Sequence, residues 1–246
     1  MNWPESLISS AERDRVSPAS NDQPSPAALA VFHDALVSAY GPQHWWPTQD
    51  TDNPRFEILI GAVLTQHTAW TNVEIAIAAL RAAGPLTPAT LVAHGDALPG
   101  LIRRAGPHNV KARRLIALCQ WFLDEGGFAG LQGRDTATLR AQLLALHGIG
   151  HETADVILLY AFARPRFVAD AYAFRILERY GWSTGPRNYE RLRKMIEAAA
   201  PDKGAAFYDE LHALIVAHAR GRCHKRTPDC AHCVLMTHCA HAQKVC

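Results

Sequence analysis

From Ala28 onward the chain repeats one pattern: apolar residues fall three and four positions apart, the spacing that lines one face of an α-helix. The pattern runs through "ALAVFHDALVSAY", "RFEILIGAVLTQHTAWTNVEIAIAALRAAG", "VKARRLIALCQWFLDEGG", "TATLRAQLLAL", "ETADVILLYAFA", "AYAFRILERYG" and "YDELHALIVAHARGRC". The runs stop at Gly84-Pro85, Gly126-Gly127, Pro165 and Gly181, residue types that end helices. Alternating strand patterns are nearly absent and no repeat is evident, so the expected class is all-α. Residues 1–27 break the pattern. They are rich in Ser, Pro and Asp without periodicity, and a disordered tail is expected there.

Length and composition add bounds. At 246 residues and 48% hydrophobic content, the chain can bury the core of one large domain or two small ones. A net charge of +2 does not mark a nucleic-acid binder, so local clustering must make that case. No apolar run reaches the roughly 20 residues that cross a bilayer. No basic segment followed by an apolar one opens the chain as a secretory signal would. The expectation is a cytoplasmic, nucleoid-associated protein with no membrane partner.

Cysteine placement is uneven. Cys119 sits in an apolar helical run and reads as a core residue; Cys246 reads as a tail thiol. Cys223, Cys230, Cys233 and Cys239 crowd into "CHKRTPDCAHCVLMTHC", with six, two and five residues between neighbours. Without export signals this crowding favours a metal site over disulfides. Four thiolates in a short loop suit tetrahedral zinc or an iron–sulfur cluster alike. His224, His232 and His238 read as exposed loop residues, because four Cys already complete a site.

"LALHGIGHETADVILLYAF" holds a Gly148-Ile149-Gly150 turn between two apolar helical runs. Glycines permit a tight backbone and expose N–H groups at a helix start, where an anion is favoured. Phosphate contacts of that kind grip DNA without reading sequence. An ordinary helix–turn–helix corner has the same residues. Downstream, Asp170 follows a short apolar run and leads into a helix, a position that suits an N-cap.

Taken together, the glycine hairpin, the trailing Asp and the Cys-x6-Cys-x2-Cys-x5-Cys motif resemble the helix-hairpin-helix DNA glycosylases of the endonuclease III superfamily, over about residues 30–240. The resemblance implies that the cysteines bind a [4Fe–4S] cluster, that Asp170 is catalytic, and that double-stranded DNA with damaged bases lies in a cleft between two helical domains. On that basis residues 48–164 form a six-helix barrel domain with the hairpin. Residues 28–47 and 165–246 form the second domain. A monomer is implied.

Bifunctional members of the superfamily carry a lysine two residues after the hairpin, which attacks the sugar through a Schiff base. Here Glu152 stands at that position, after His151. A carboxylate forms no imine. The expectation is therefore a monofunctional enzyme that activates water and leaves an abasic site. Glu152 would line the base pocket, or serve only as a first-turn acid that complements the helix dipole.

"QHWWPTQDTDNPRFEILIGAVLTQHTAW" is similar to the type III 3-methyladenine DNA glycosylase branch. By that likeness Trp45, Trp46 and Pro47 would sandwich a flipped base, with Trp70 beside them, and Gln66 would fill the gap left in the duplex. Residue reading alone allows a buried Trp–Trp pair and a capping amide. The Cys motif departs from members of the branch that lack it, which puts the substrate range in doubt. "LIRRAGPHNVKARRLIALC" carries Arg103, Arg104, Lys111, Arg113 and Arg114 without an acid, a phosphate patch or a solvated face. The resemblance puts this segment on a loop, with Lys111 and Arg113 on DNA. Two other functions stay open: an endonuclease III-like enzyme for oxidised or mismatched pyrimidines, and a non-catalytic DNA-binding iron–sulfur protein.

Overall fold

The structure, a computed structural model, describes residues 23–182 and 185–245, so most of the expected tail and Cys246 lie outside the described residues. All regular elements among the described residues are helical. They are α1 (Pro26–Tyr40), α2 (Pro54–Leu64), α3 (Trp70–Ala83), α4 (Pro88–His94), α5 (Leu98–Leu101), α6 (His108–Asp124), α7 (Gly127–Gln132), α8 (Thr136–Ala145), α9 (His151–Val156), α10 (Ala171–Tyr180), α11 (Tyr189–Ala199), α12 (Ala205–Gly221) and α13 (Ala242–Val245).

Local chemistry sets the starts. The Ser25 hydroxyl accepts from the Ala28 N–H and Pro26 takes the first helical position, so α1 begins two residues before the expected tail ends. Thr87, Asp135, Asp170 and Asn188 cap α4, α8, α10 and α11 in the same way. The long run from Arg55 to Gly84 does not form one helix. It breaks at 65–69, where His67 adopts φ +51°, and resumes as α3. Past Val156, α9 widens into a π-helical turn, Ile157–Ala161, which carries Tyr160.

Buried side chains gather in two clusters. One draws on α2 through the π turn, from Phe56 to Phe162. The other joins Leu29, Phe32 and Leu36 of α1 to α10, α11, α12 and the C-terminal loop. Val156 and Tyr160 pack against both. No single described helix is long and apolar enough to cross a membrane.

Candidate active site

Asp170 caps α10: its Oδ1 accepts from the Ala173 N–H at 2.7 Å. Its side chain is only 13% exposed, and Oδ2 lies 3.6 Å from Nε2 of His212 on α12. The Tyr160 hydroxyl meets His212 Nδ1 at 2.6 Å. Glu152 opens the first turn of α9 with its side chain open to solvent. Its carboxyl is nonetheless raised above the usual range. Desolvation is the main cause, the Asp170 carboxylate adds to it, and His212 opposes it. Asp209, one turn before His212, is pushed up to about 6 by burial and by neighbouring Glu210, again opposed by His212. Three carboxyl groups thus share the field of one imidazole.

Trp45, Trp46 and Trp70 form an aromatic cage with centroids 5.0 to 5.5 Å apart, and Trp46 reaches Tyr160 at 5.5 Å. Trp46 lies flat on α2 because residue 61 is glycine; a Cβ there would meet the indole at 2.8 Å. The sequence likeness has Trp45, Trp46 and Pro47 sandwich a flipped base; in the structure Trp45 and Trp46 lie against each other. The two rings touch at a 54° tilt, so no base-thick slot separates them, and a planar ring has only the open faces of the cage to stack on. Pro47 is exposed beside it.

The hairpin is a knot of contacts. Gln66 Nε2 donates to the Gly148 carbonyl and to Thr153 Oγ1, while its Oε1 accepts from Arg114 Nη1 at 2.6 Å. A duplex-filling Gln66 must therefore give up three hydrogen bonds; the exposed side chain at that turn is His67. Ile149 is buried, and Gly150 has open space where a Cβ would point. His151 is exposed, stacked on Tyr189 and 3.2 Å from Glu190 Oε1.

The expectation for Lys111 is also corrected. Its segment is helical, α6, and Lys111 faces inward at 1% exposure, donating to Leu64 O, Thr68 Oγ1 and Ala105 O. Burial, followed by the charge of Arg114, lowers its ammonium to about 8. It cannot meet a phosphate. Arg103, Arg104 and Arg113 are exposed.

Cys223, Cys230, Cys233 and Cys239 line one small cavity with Arg179, Tyr180 and His218. Arg179 Nη1 donates to Cys223 Sγ at 3.2 Å, and His218 Nε2 lies 3.6 Å from Cys233 Sγ. Among the described residues no three His, Cys, Asp or Glu side chains converge tightly enough to hold a single ion. His224, His232 and His238 are exposed outside the cavity.

The model of the HhH-GPD superfamily of base excision DNA repair proteins matches residues 60–201, more than half of the chain. The chain belongs to that superfamily. A Methanocaldococcus jannaschii protein that bears the name DNA repair glycosylase is 38% identical over 208 residues, 83% of this chain and 92% of that one. Escherichia coli endonuclease III is 29% identical over 77% of this chain and 85% of its own. Among solved structures, H. pylori 3-methyladenine DNA glycosylase bound to 1,N6-ethenoadenine matches with a TM-score of 0.65 and 28% identity, over 78% of this chain and 94% of that one.

Within this HhH-GPD chain, sequence reasoning missed Tyr160, Asp209, His212 and His218. The signal was present for the two histidines: in "YDELHALIVAHARG" each interrupts an apolar helical stretch, and both are buried. A polar ring on the inner face of a helix requires partners, and both have them.

Proposed function

We propose that the protein is a monofunctional DNA glycosylase that hydrolyses the N-glycosidic bond of alkylated purines, such as 3-methyladenine, and leaves an abasic site. An N-alkylated purine carries positive charge and leaves without being protonated. Asp170, as carboxylate, stabilises the cationic sugar of the transition state and orients or deprotonates the attacking water. The base must leave the stack to reach it, and damage lowers that cost. A cationic ring then stacks on the open faces of Trp45, Trp46 and Trp70. The bases' phosphates meet the backbone of Gly148, Ile149 and Gly150, with His151 and Arg113 beside it. In this reading the duplex lies between the two buried clusters, taken as two domains, and the enzyme acts as a monomer.

The observation that carries the reading is the acid at position 152, in the first turn of α9. It offers no amine for an imine, and it favours a cationic base over a neutral one. The H. pylori neighbour, bound to a modified adenine, supports the same substrate class. The likeness to endonuclease III favours a second reading, oxidised or mismatched pyrimidines.

Cys223, Cys230, Cys233 and Cys239 fit a [4Fe–4S] cluster: the four thiols line one cavity, with the Arg179 guanidinium donating to the Cys223 sulfur and His218 beside the Cys233 sulfur. Bound there, the cluster supplies a cross-link between the end of α12 and the C-terminal loop. Brown protein with equal iron and acid-labile sulfide supports it; colourless protein with stoichiometric zinc overturns it.

The deciding experiment offers the enzyme duplexes with methylated purines and duplexes with oxidised pyrimidines. Release of 3-methyladenine, strand breakage only after alkali, and loss of release in Asp170→Asn are expected. A borohydride-trapped covalent adduct, or release of pyrimidines alone, overturns the reading.

A further inference from the structure

His212 is nine-tenths buried, yet its Nε2 has no hydrogen-bond partner. Such an atom is rare and needs an explanation. The nearest acceptor is Asp170 Oδ2 at 3.6 Å, just outside hydrogen-bond range. At the other edge of the ring, Nδ1 is 2.6 Å from the Tyr160 hydroxyl. Burial, with the carboxylates of Asp209, Asp170 and Glu210 nearby, pushes the Tyr160 hydroxyl well above the phenol range, so Tyr160 keeps its proton and donates it to Nδ1. With Nδ1 taken by Tyr160, the N–H at Nε2 faces Asp170.

Asp170 is thereby held from two sides: Oδ1 by the α10 N-terminus and Oδ2 by an imidazole. Tyr160 also touches Trp46 of the cage, so one line of side chains runs from the aromatic cage to the carboxylate. We infer that His212, fixed by Tyr160, is a positioning residue that orients Asp170 and offers its carboxylate an N–H donor among the acids around it. This rests on the reading of Asp170 as the catalytic group. The groups that face the ring are Asp170 before α10, Glu152 of α9, Tyr160 of the π turn, and Asp209 of α12 itself, with Glu210 behind Asp209.

The test is single-turnover release of 3-methyladenine from methylated duplex, measured against pH for wild type, His212→Gln, His212→Asn and Tyr160→Phe, with duplex affinity and melting temperature recorded for each. Removing the imidazole takes away the N–H that faces the Asp170 carboxylate. The expected result is a loss of about 10- to 100-fold at low pH and an acid limb moved up by about one pH unit, a tenfold change in protonation. DNA affinity should stay within about twofold. Tyr160→Phe frees the ring and moves the limb the same way by less. It also keeps the test open where a His212 variant folds poorly. An unmoved acid limb in folded variants overturns the inference, as does a rate loss that is uniform across pH. Those outcomes leave Asp170 untouched; wild-type release by Asp170→Asn instead removes the reading on which the inference stands.

Discussion

Gly148 adopts φ +82°, and a Cβ built there would sit 2.1 Å from Arg114 Nε. The residue is glycine for two reasons that act together: a left-handed backbone, and room for the arginine that grips Gln66. Gly148→Ala is expected to cost about 2 kcal/mol or more, because the conformational penalty of about 1–2 kcal/mol adds to the displacement of Arg114, and thermal melting reads it. Lys111 makes a sharper case. Its three hydrogens meet three acceptors; in Lys111→Met the Leu64 carbonyl loses its side-chain donor and the Ala105 carbonyl keeps only the Thr68 hydroxyl. That variant should lose about 1–3 kcal/mol per abandoned acceptor while the salt dependence of duplex binding stays as in wild type. Arg113→Ala should do the reverse: little change in stability, and a salt slope shallower by about one. Equal slopes in both variants would remove Arg113 from the interface. The sequence shows five cations within residues 103–114 and no acid among them, and periodicity cannot separate the one that turns inward. Burial of Lys111 depends on carbonyls at residues 64 and 105 that end other elements. The cap at Asp170 was legible because an Asp just ahead of an apolar helical run marks a helix start.

At the scale of elements, α8, α9 and α11 are tied by ions. Asp155 of α9 is fully buried and accepts from Arg140 Nε and Nη2 of α8 at 2.7 and 2.9 Å, with Arg193 of α11 3.9 Å away. Arg140 and Arg193 also hold Glu190, and Arg193 holds Glu197. Asp155→Ala takes from Arg140 its buried carboxylate and leaves both guanidinium groups to Glu190 and Glu197, and breaking a buried pair from one side costs about 3–5 kcal/mol. Denaturant unfolding should show that loss, with the hairpin helix α9 the first to lose amide protection in hydrogen exchange. An Asp155→Ala protein as stable as wild type would mean that the network has no structural role. These links explain what the pattern of apolar residues did and did not reveal. The runs that became α1, α6, α8, α10 and α12 were legible because their buried faces are apolar. Element α11 was not, since Leu192, Met195 and Ile196 are interleaved with charges that turned out to be partners. The short helices α4, α5 and α7 carry too few turns for a period to register. The split after α2 is set by a five-residue turn whose geometry follows from contacts to the hairpin and Ala105.

Across the whole molecule, α1 crosses to pack with α12 and α10, a non-local pairing that no local pattern encodes. The same long-range packing gives the protein a pH response with two opposed arms. Burial raises the Glu190 carboxyl, but hydrogen bonds from Arg193 and Arg140 outweigh it and hold it down at about 2. A carboxyl depressed on folding adds stability that is full above about pH 4.5 and fades as the pH falls toward 2, so acid should weaken the α8–α9–α11 junction there. Glu190→Gln should flatten that arm. Asp209 works in the other sense. Its carboxyl is held up at about 6 by burial and Glu210, so the folded state holds a proton that the unfolded chain has already released. Stability therefore falls as the pH rises from about 4 to 6 and stays lower above it. Asp209→Asn removes that penalty: its melting temperature should match wild type below about pH 4, rise above it between pH 4 and 6, and keep a constant advantage at higher pH. A melting-temperature difference that does not vary with pH would show that Asp209 is an ordinary surface carboxylate. The same substitution takes one negative charge from the field around His212. Any gain in stability that is matched by a change in the excision pH profile would then mark Asp209 as an acid kept in the site at a cost to the fold.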